Sequence, residues 1–155
     1  SFKSFKQHKA DKADYFLCTG LFDEKEKLEF YRDFLSAHKS KEMVCTNPDL
    51  IVDRGNVREY CAGSIAKVFE EMGGKVKYFG KPYPLVYKKS STINNKRVLC
   101  IGDNLNTDIK GANIQNFKSL FILNGVHKNE INNDINKLFE KNQVNVDYTQ
   151  EKLKW

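Results

Sequence analysis

The chain has 155 residues, 40% hydrophobic and 30% charged, which is room for one ordinary domain or two lean subdomains and excludes disorder and a collagen-like repeat. No run approaches the roughly 18 apolar residues of a membrane span, and the N-terminal Ser1-Phe2-Lys3-Ser4-Phe5-Lys6 lacks the apolar stretch and cleavage site of a secretory signal. The formal net charge of +6 raises nucleic acid as a partner, but lysines interleave with glutamates in Glu24-Lys25-Glu26-Lys27 and Glu151-Lys152, as on solvated helix faces; neither nucleic acid nor a membrane is expected as a partner.

Tyr15-Phe16-Leu17-Cys18 is an apolar run closed by Gly20, a predicted strand. Residues 24–38 carry Leu28, Tyr31, Phe34 and Leu35 at helical spacing, with Asp23 as the predicted N-cap. Met43-Val44-Cys45 is a second strand, broken by the turn Asn47-Pro48-Asp49. Leu50-Ile51-Val52 is apolar and brief, and Arg54-Gly55 turns the chain. Residues 57–72 are predicted as a helix through Val57, Tyr60, Cys61, Ile65, Val68 and Met72, ended by Gly73-Gly74. Val76 to Phe79 is a strand that runs into Gly80-Lys81-Pro82-Tyr83-Pro84, and a short helix follows near 84–91. Arg97 to Ile101 is a buried strand closed by Gly102-Asp103. Thr107 is the predicted cap of a helix carrying Ile109, Ala112 and Ile114. Lys118 to Leu123 is a further strand, ended by Asn124-Gly125; a polar helix near 128–140 and a tail complete the chain. This alternation predicts βαβ units and a largely parallel sheet, hence an α/β fold.

Four cysteines, Cys18, Cys45, Cys61 and Cys100, show no CxxC and no histidine at zinc spacing. They are expected as small core hydrophobes of a reduced, cytoplasmic protein.

Ligands of open parallel sheets sit at the carboxyl ends of strands, and two segments end in suitable residues. In Gly102-Asp103-Asn104-Leu105-Asn106-Thr107-Asp108 the glycine turns the backbone off the strand, and two carboxylates five residues apart could serve a hard cation such as Mg²⁺. The same spacing also suits a purely structural arrangement, with Asp108 complementing the helix dipole and Asp103 forming an Asx-turn. In Phe79-Gly80-Lys81-Pro82-Tyr83-Pro84, glycine and proline restrain a lysine that could reach a phosphate or carboxylate from a fixed position. An ordinary exposed loop lysine is the plainer reading.

Together these segments resemble the haloacid dehalogenase superfamily of phosphohydrolases, and within it the class IIA branch of 4-nitrophenylphosphatase-like enzymes. Cys45-Thr46-Asn47-Pro48-Asp49 is similar to that branch's Thr-Asn-Pro-Asp signature in the cap. Gly80-Lys81-Pro82-x-Pro84 is similar to its lysine motif, and Gly102-Asp103-Asn104-Leu105-x-Thr107-Asp108-Ile109 to its acidic metal motif. The resemblance implies a Rossmann-like parallel-sheet half-core preceded by part of an α/β C2-type cap, with the cap at residues 1–75 and the C-terminal part of the core at 76–155. It implies Mg²⁺-dependent hydrolysis of a phosphorylated small molecule, with Lys81 as the catalytic lysine. Asp103 would be a metal ligand, and Asp108 would support the metal or anchor Lys81. Thr46, Asn47, Asp49, Arg54 and Asn104 would serve substrate binding, with Leu50 to Asn56 as the specificity loop.

The family attacks phosphate with an aspartate in an N-terminal Asp-x-Asp-like motif, and this sequence has no match to it. Asp11 and Asp14 lie in a polar lead-in, Asp23 opens a helix, and Asp53 follows the cap signature. The chain is therefore expected to be a truncated or split form, inactive by itself, binding Mg²⁺ weakly. An N-terminal chain would complete it, and a homodimer through the cap is a further expectation. A non-catalytic α/β binding or assembly module derived from the family is the competing expectation.

Overall fold

Two parallel sheets carry the fold, and the structure, a computed structural model, describes residues 9–23, 27–90, 98–131 and 134–154. In chain order the strands are β1 (Tyr15–Cys18), β2 (Glu42–Cys45), β3 (Ile51–Arg54), β4 (Val57–Tyr60), β5 (Lys75–Tyr78), β6 (Leu99–Gly102), β7 (Lys118–Ile122) and β8 (Tyr148–Gln150). The helices are α1 (Leu28–Ser36), α2 (Ala62–Glu71), α3 (Pro84–Ser90), α4 (Lys110–Ile114) and α5 (Ile135–Asn142). The chain divides into two units, Ser1–Leu50 with Tyr60–Tyr78, and Ile51–Glu59 with Phe79–Trp155. The α/β class expected from the alternation holds in both.

In the first unit the order β1-β2-β5 is parallel throughout, with Cys18 opposite Cys45 and Cys45 opposite Tyr78. Tyr31 and Leu35 from α1, and Ile65, Ala66 and Phe69 from α2, close over Met43 and Cys45, all nearly inaccessible to water. The expected helix over 57–72 is corrected to a strand followed by a shorter helix. Gly55 adopts a left-handed φ of 60°, so the chain doubles back and Val57 to Tyr60 pairs with β3 rather than coiling. The helix starts only at Ala62, where its first amides meet carbonyls of the preceding loop: Cys61 N donates to Leu50 O and Gly63 N to Asp49 O. Gly73, with φ of 90°, ends α2 as expected. The N-cap of α1 is Lys27, without a side-chain cap, rather than Asp23; residues 24–26 lie outside the described residues.

In the second unit β6-β7-β8 is also parallel. Leu105, Ile109, Phe121, Leu138 and Val144 form its core, and the ring of Phe121 meets that of Phe139 edge-on at 5.8 Å. The segment after β7 turns through residues 125–130, and α5 begins at Ile135, later than expected, because Asp134 caps it by accepting from Asn136 N at 3.1 Å. The tail contains β8, where the sequence predicts no element. Its place is held by Asp147, which accepts from Lys118 Nζ at 2.5 Å, from Ser119 N at 3.0 Å and from Ser119 Oγ at 3.2 Å. The Lys118 hydrogen bond holds the Asp147 carboxyl below its ordinary value. A folded pKa below the unfolded one gives stabilisation that is complete above the unfolded value, about 3.9, and is lost as pH falls through the folded one. Asp147→Ala is expected to cost about 1–3 kcal/mol, because it strips a partner from buried Ser119, and to flatten the acid limb of a stability–pH profile below about pH 4. Urea melts from pH 2.5 to 7 check both.

The hairpin β3–β4 goes with the second unit. Arg58 Nη2 donates to Val126 O at 2.8 Å, and Lys128 Nζ lies 3.7 Å from Asp53, which ties the hairpin to the segment after β7. All four cysteines are free thiols. Burial pushes Cys18 up to about 12 and raises Cys45 and Cys100 as well, which makes these poor nucleophiles. Among the described residues no helix is long and apolar enough to cross a membrane.

Candidate active site

A buried polar cluster of the second unit, Asn104, Thr107 and Asp108, lies at the carboxyl end of β6. Asn104 caps the π-helical turn Leu105–Ile109: its side chain accepts from Asn106 N at 3.0 Å, and its carbonyl accepts from Asp108 N and Ile109 N. The expected cap, Thr107, is instead buried inside the turn. Leu105 and Ile109 anchor the turn in the core, and this swings the Asp108 carboxylate back toward the strand end. There Asp108 Oδ2 accepts from Asn104 N at 3.2 Å. Gly102 does not take a left-handed conformation. It is glycine because a Cβ would fall well under 3.0 Å from the Cβ, Cγ and Oδ2 of Asp108.

The second oxygen of Asp108 receives Lys81 Nζ at 2.5 Å. Lys81 comes from the loop between β5 and α3. Gly80, with φ of 111°, turns the chain; Tyr83 N closes the loop on Gly80 O at 2.9 Å; and the Lys81–Pro82 peptide is cis. Tyr87 of α3 and Pro82 pack on Gly111 of α4, where any Cβ would strike the phenol oxygen. Burial pushes the Tyr87 phenol up to about 12, so it stays protonated in this packing. The Asp108 side chain is 11% exposed and that of Lys81 44% exposed. The carboxylate end of the pair is thus set in protein, and the lysine side chain is half-exposed.

Asp103, at the tip of the strand, accepts from Val126 N through Oδ2 at 2.9 Å, and Gly125 lies so close that a Cβ would meet the same carboxylate. Asp108 is thus paired directly with Lys81. Asp103 offers a hard oxygen donor at a strand end, which suits Mg²⁺, a cation held by one or two carboxylates with water and phosphate completing the shell. Among the described residues no group of three or more His, Cys, Asp or Glu side chains is placed to hold a metal.

Lys81, Asn104 and Asp108 are brought into contact, with Asp103 beside them in the chain. Thr46, Asn47 and Asp49 belong to the first unit, where they shape their own loop. Thr46 N and Oγ1 both donate to Cys18 O, and Asn47 Oδ1 accepts from Asp49 N at 3.2 Å. Arg54, on the hairpin, is paired with Glu59 at 2.8 Å. Asp53 is engaged by Arg58 and Lys128, and the Arg58 hydrogen bond holds its carboxyl below the ordinary value. Sequence reasoning missed Arg58, the Val126 amide and His127. His127 is buried, with Nδ1 donating to Glu130 at 2.7 Å and Nε2 without a hydrogen-bond partner among the described residues. The spacing of Asp53 and Arg58 across Gly55-Asn56 was the available signal, and a helical reading of 57–72 concealed it.

A parallel α/β unit with a lysine–aspartate pair and a second aspartate at a strand's carboxyl end is a Rossmann-like arrangement. Residues 78–148 match the family described as HAD-hydrolase-like. Among solved structures, a haloacid dehalogenase-like hydrolase from Brucella suis 1330 is 27% identical, with a TM-score of 0.82 over 99% of this chain and 61% of its own. A 4-nitrophenylphosphatase from Thermotoga maritima shares the fold at 23% identity and a TM-score of 0.63, over 94% of this chain and 54% of its own. A glycerol phosphate phosphatase from Mycobacterium tuberculosis in complex with calcium is 26% identical, with a TM-score of 0.54 over 75% of this chain and 35% of its own. The chain thus spans little more than half the length of the first two. The curated proteins hold no significant match.

Proposed function

We propose that this chain carries the cation-binding and charge-neutralising part of a class IIA phosphomonoester hydrolase site, acting on a phosphorylated small molecule. The observation that carries the reading is the 2.5 Å pair of Lys81 with Asp108 beside Asp103 at the end of β6. Phosphoryl transfer asks for an in-line nucleophile and dense positive charge around the equatorial oxygens. Lys81 supplies one such charge, and Asp108 holds its ammonium at the end of β6. Asp103 would hold Mg²⁺, with Asp108 behind it; bound there, the cation would polarise a phosphoryl oxygen. One similar structure holds calcium, a cation with the same preference for oxygen ligands. Free thiols throughout suit a reducing compartment such as the cytoplasm.

We take the attacking carboxylate to come from outside these 155 residues, since Asp53, the remaining candidate, is tied up with Arg58 and Lys128. Titration calorimetry tests the reading: Mg²⁺ should bind weakly to the 155-residue chain, and Asp103→Asn should abolish the heat. Turnover of 4-nitrophenyl phosphate should be absent from the chain alone. It should appear when an N-terminal segment bearing the Asp-x-Asp motif is added, and fall about 10²–10³-fold in Lys81→Ala. Mg²⁺ binding that ignores Asp103→Asn would overturn the assignment and favour a non-catalytic module.

A further inference from the structure

The hairpin β3–β4 reaches the Asp103 carboxylate through a single residue, Val126. Asp53 and Arg58 face each other across the Gly55-Asn56 turn and form a two-point fork, Nε to Oδ1 at 2.8 Å and Nη2 to Oδ2 at 3.1 Å. Lys128 Nζ adds a second cation 3.7 Å from Asp53. Such a fork fixes the guanidinium plane, which a lysine at the same position could not do. The fixed Nη2 also donates to Val126 O at 2.8 Å. The amide of the same residue, Val126 N, donates to Asp103 Oδ2 at 2.9 Å. Lys128 N closes the turn on Gly125 O at 3.0 Å, and Gly125 lies against Asp103 with no room for a Cβ. Both polar groups of Val126 are therefore spoken for, one by the hairpin and one by the carboxylate.

We propose that Arg58 is a positioning residue for Asp103, holding the Gly125–Lys128 turn so that the Val126 amide sets the carboxylate's orientation. This inference rests on the reading of Asp103 as the cation ligand. Outer partners that orient a metal's ligands commonly affect affinity as strongly as 10–100-fold. Since coupling between two sites is reciprocal, a cation at Asp103 should in turn tighten the hairpin.

The test uses the 155-residue chain with Mg²⁺ alone, followed by amide NMR and hydrogen exchange. Arg58→Lys keeps the charge but loses the fork, and Asp53→Asn releases the arginine. Both are expected to weaken Mg²⁺ binding about tenfold and to speed exchange of the Val126 amide before any metal is added. Mg²⁺ should slow exchange at Val57 to Tyr60 in the parent chain and not in Arg58→Lys. Arg32→Lys, on the separate Arg32–Glu71 pair, should change none of these. Arg58 variants with parental melting and unchanged Val126 exchange would overturn the proposal. If Asp103→Asn leaves Mg²⁺ binding intact, the cation assignment fails, and Val126 exchange still decides whether Arg58 positions the turn.

Discussion

Phe121→Ala is expected to destabilise the β6-β7-β8 unit by about 3–5 kcal/mol. The ring is fully buried in the middle strand of the sheet, with Leu105, Ile109 and Leu138 in the same core and Phe139 edge-on at 5.8 Å. None of these neighbours can close the space, because Leu105 and Ile109 are fixed by the turn that Asn104 caps. Truncation would therefore leave a cavity, and the cost is the lost transfer energy plus the lost packing. Phe121 also stands opposite Gly102 in the β6–β7 register. The cavity would open beside the residue that leads into Asp103, so weaker Mg²⁺ binding should accompany the lost stability. Urea unfolding should show a lower midpoint at unchanged slope, and Phe121→Leu should recover more than half of the loss. A loss under about 1 kcal/mol would mean that the core relaxes around the gap.

Strand and helix order was readable from residue type, because β1, β2, β6 and β7 carry short apolar runs bounded by glycine or turn residues, and β5 alternates lysine with Val76 and Tyr78. Two regions were not. Val57, Tyr60 and Cys61 lie where a helix stripe would place them, yet Gly55 at φ 60° lets the chain pair with β3 instead. A local turn conformation thus decided between two periods that the apolar pattern fits about equally. β8 is missed for another reason: Tyr148-Thr149-Gln150 is polar, and its pairing depends on Asp147 reaching Lys118 and Ser119, residues distant in sequence. For the site, the motifs pointed to Lys81, Asp103 and Asp108 because a charged side chain at a strand end leaves a mark in sequence. The backbone amide of Val126 leaves none, and Arg58 gains its role only once the hairpin is folded.

Gly102→Ala is expected to separate Lys81 from Asp108 while leaving every charged residue in place. The added methyl would meet the Cβ, Cγ and Oδ2 of Asp108 together, so a rotation of the carboxylate cannot relieve the clash. Either β6 shifts away from its register with β7, or the turn Leu105–Ile109 moves. Leu105 and Ile109 are fully buried and resist the second course. Overpacking of this kind costs about 1–3 kcal/mol. The Asn104 amide and the Asp108 carboxylate, both in protein, lose their mutual hydrogen bond as well. A total of at least about 2 kcal/mol is expected. The functional consequence differs from that of Lys81→Ala: the ammonium survives but its tether does not, so phosphate should still be attracted yet held in no fixed orientation. Positioning is where such a site gains most of its rate, so in the completed enzyme the loss should fall on kcat more than on KM. Asp108→Asn, which keeps the shape and removes the charge, supplies the comparison. If Gly102→Ala melts like the parent chain and retains the Lys81 ammonium signal of the paired state, the close approach of Gly102 and Asp108 does not organise the site.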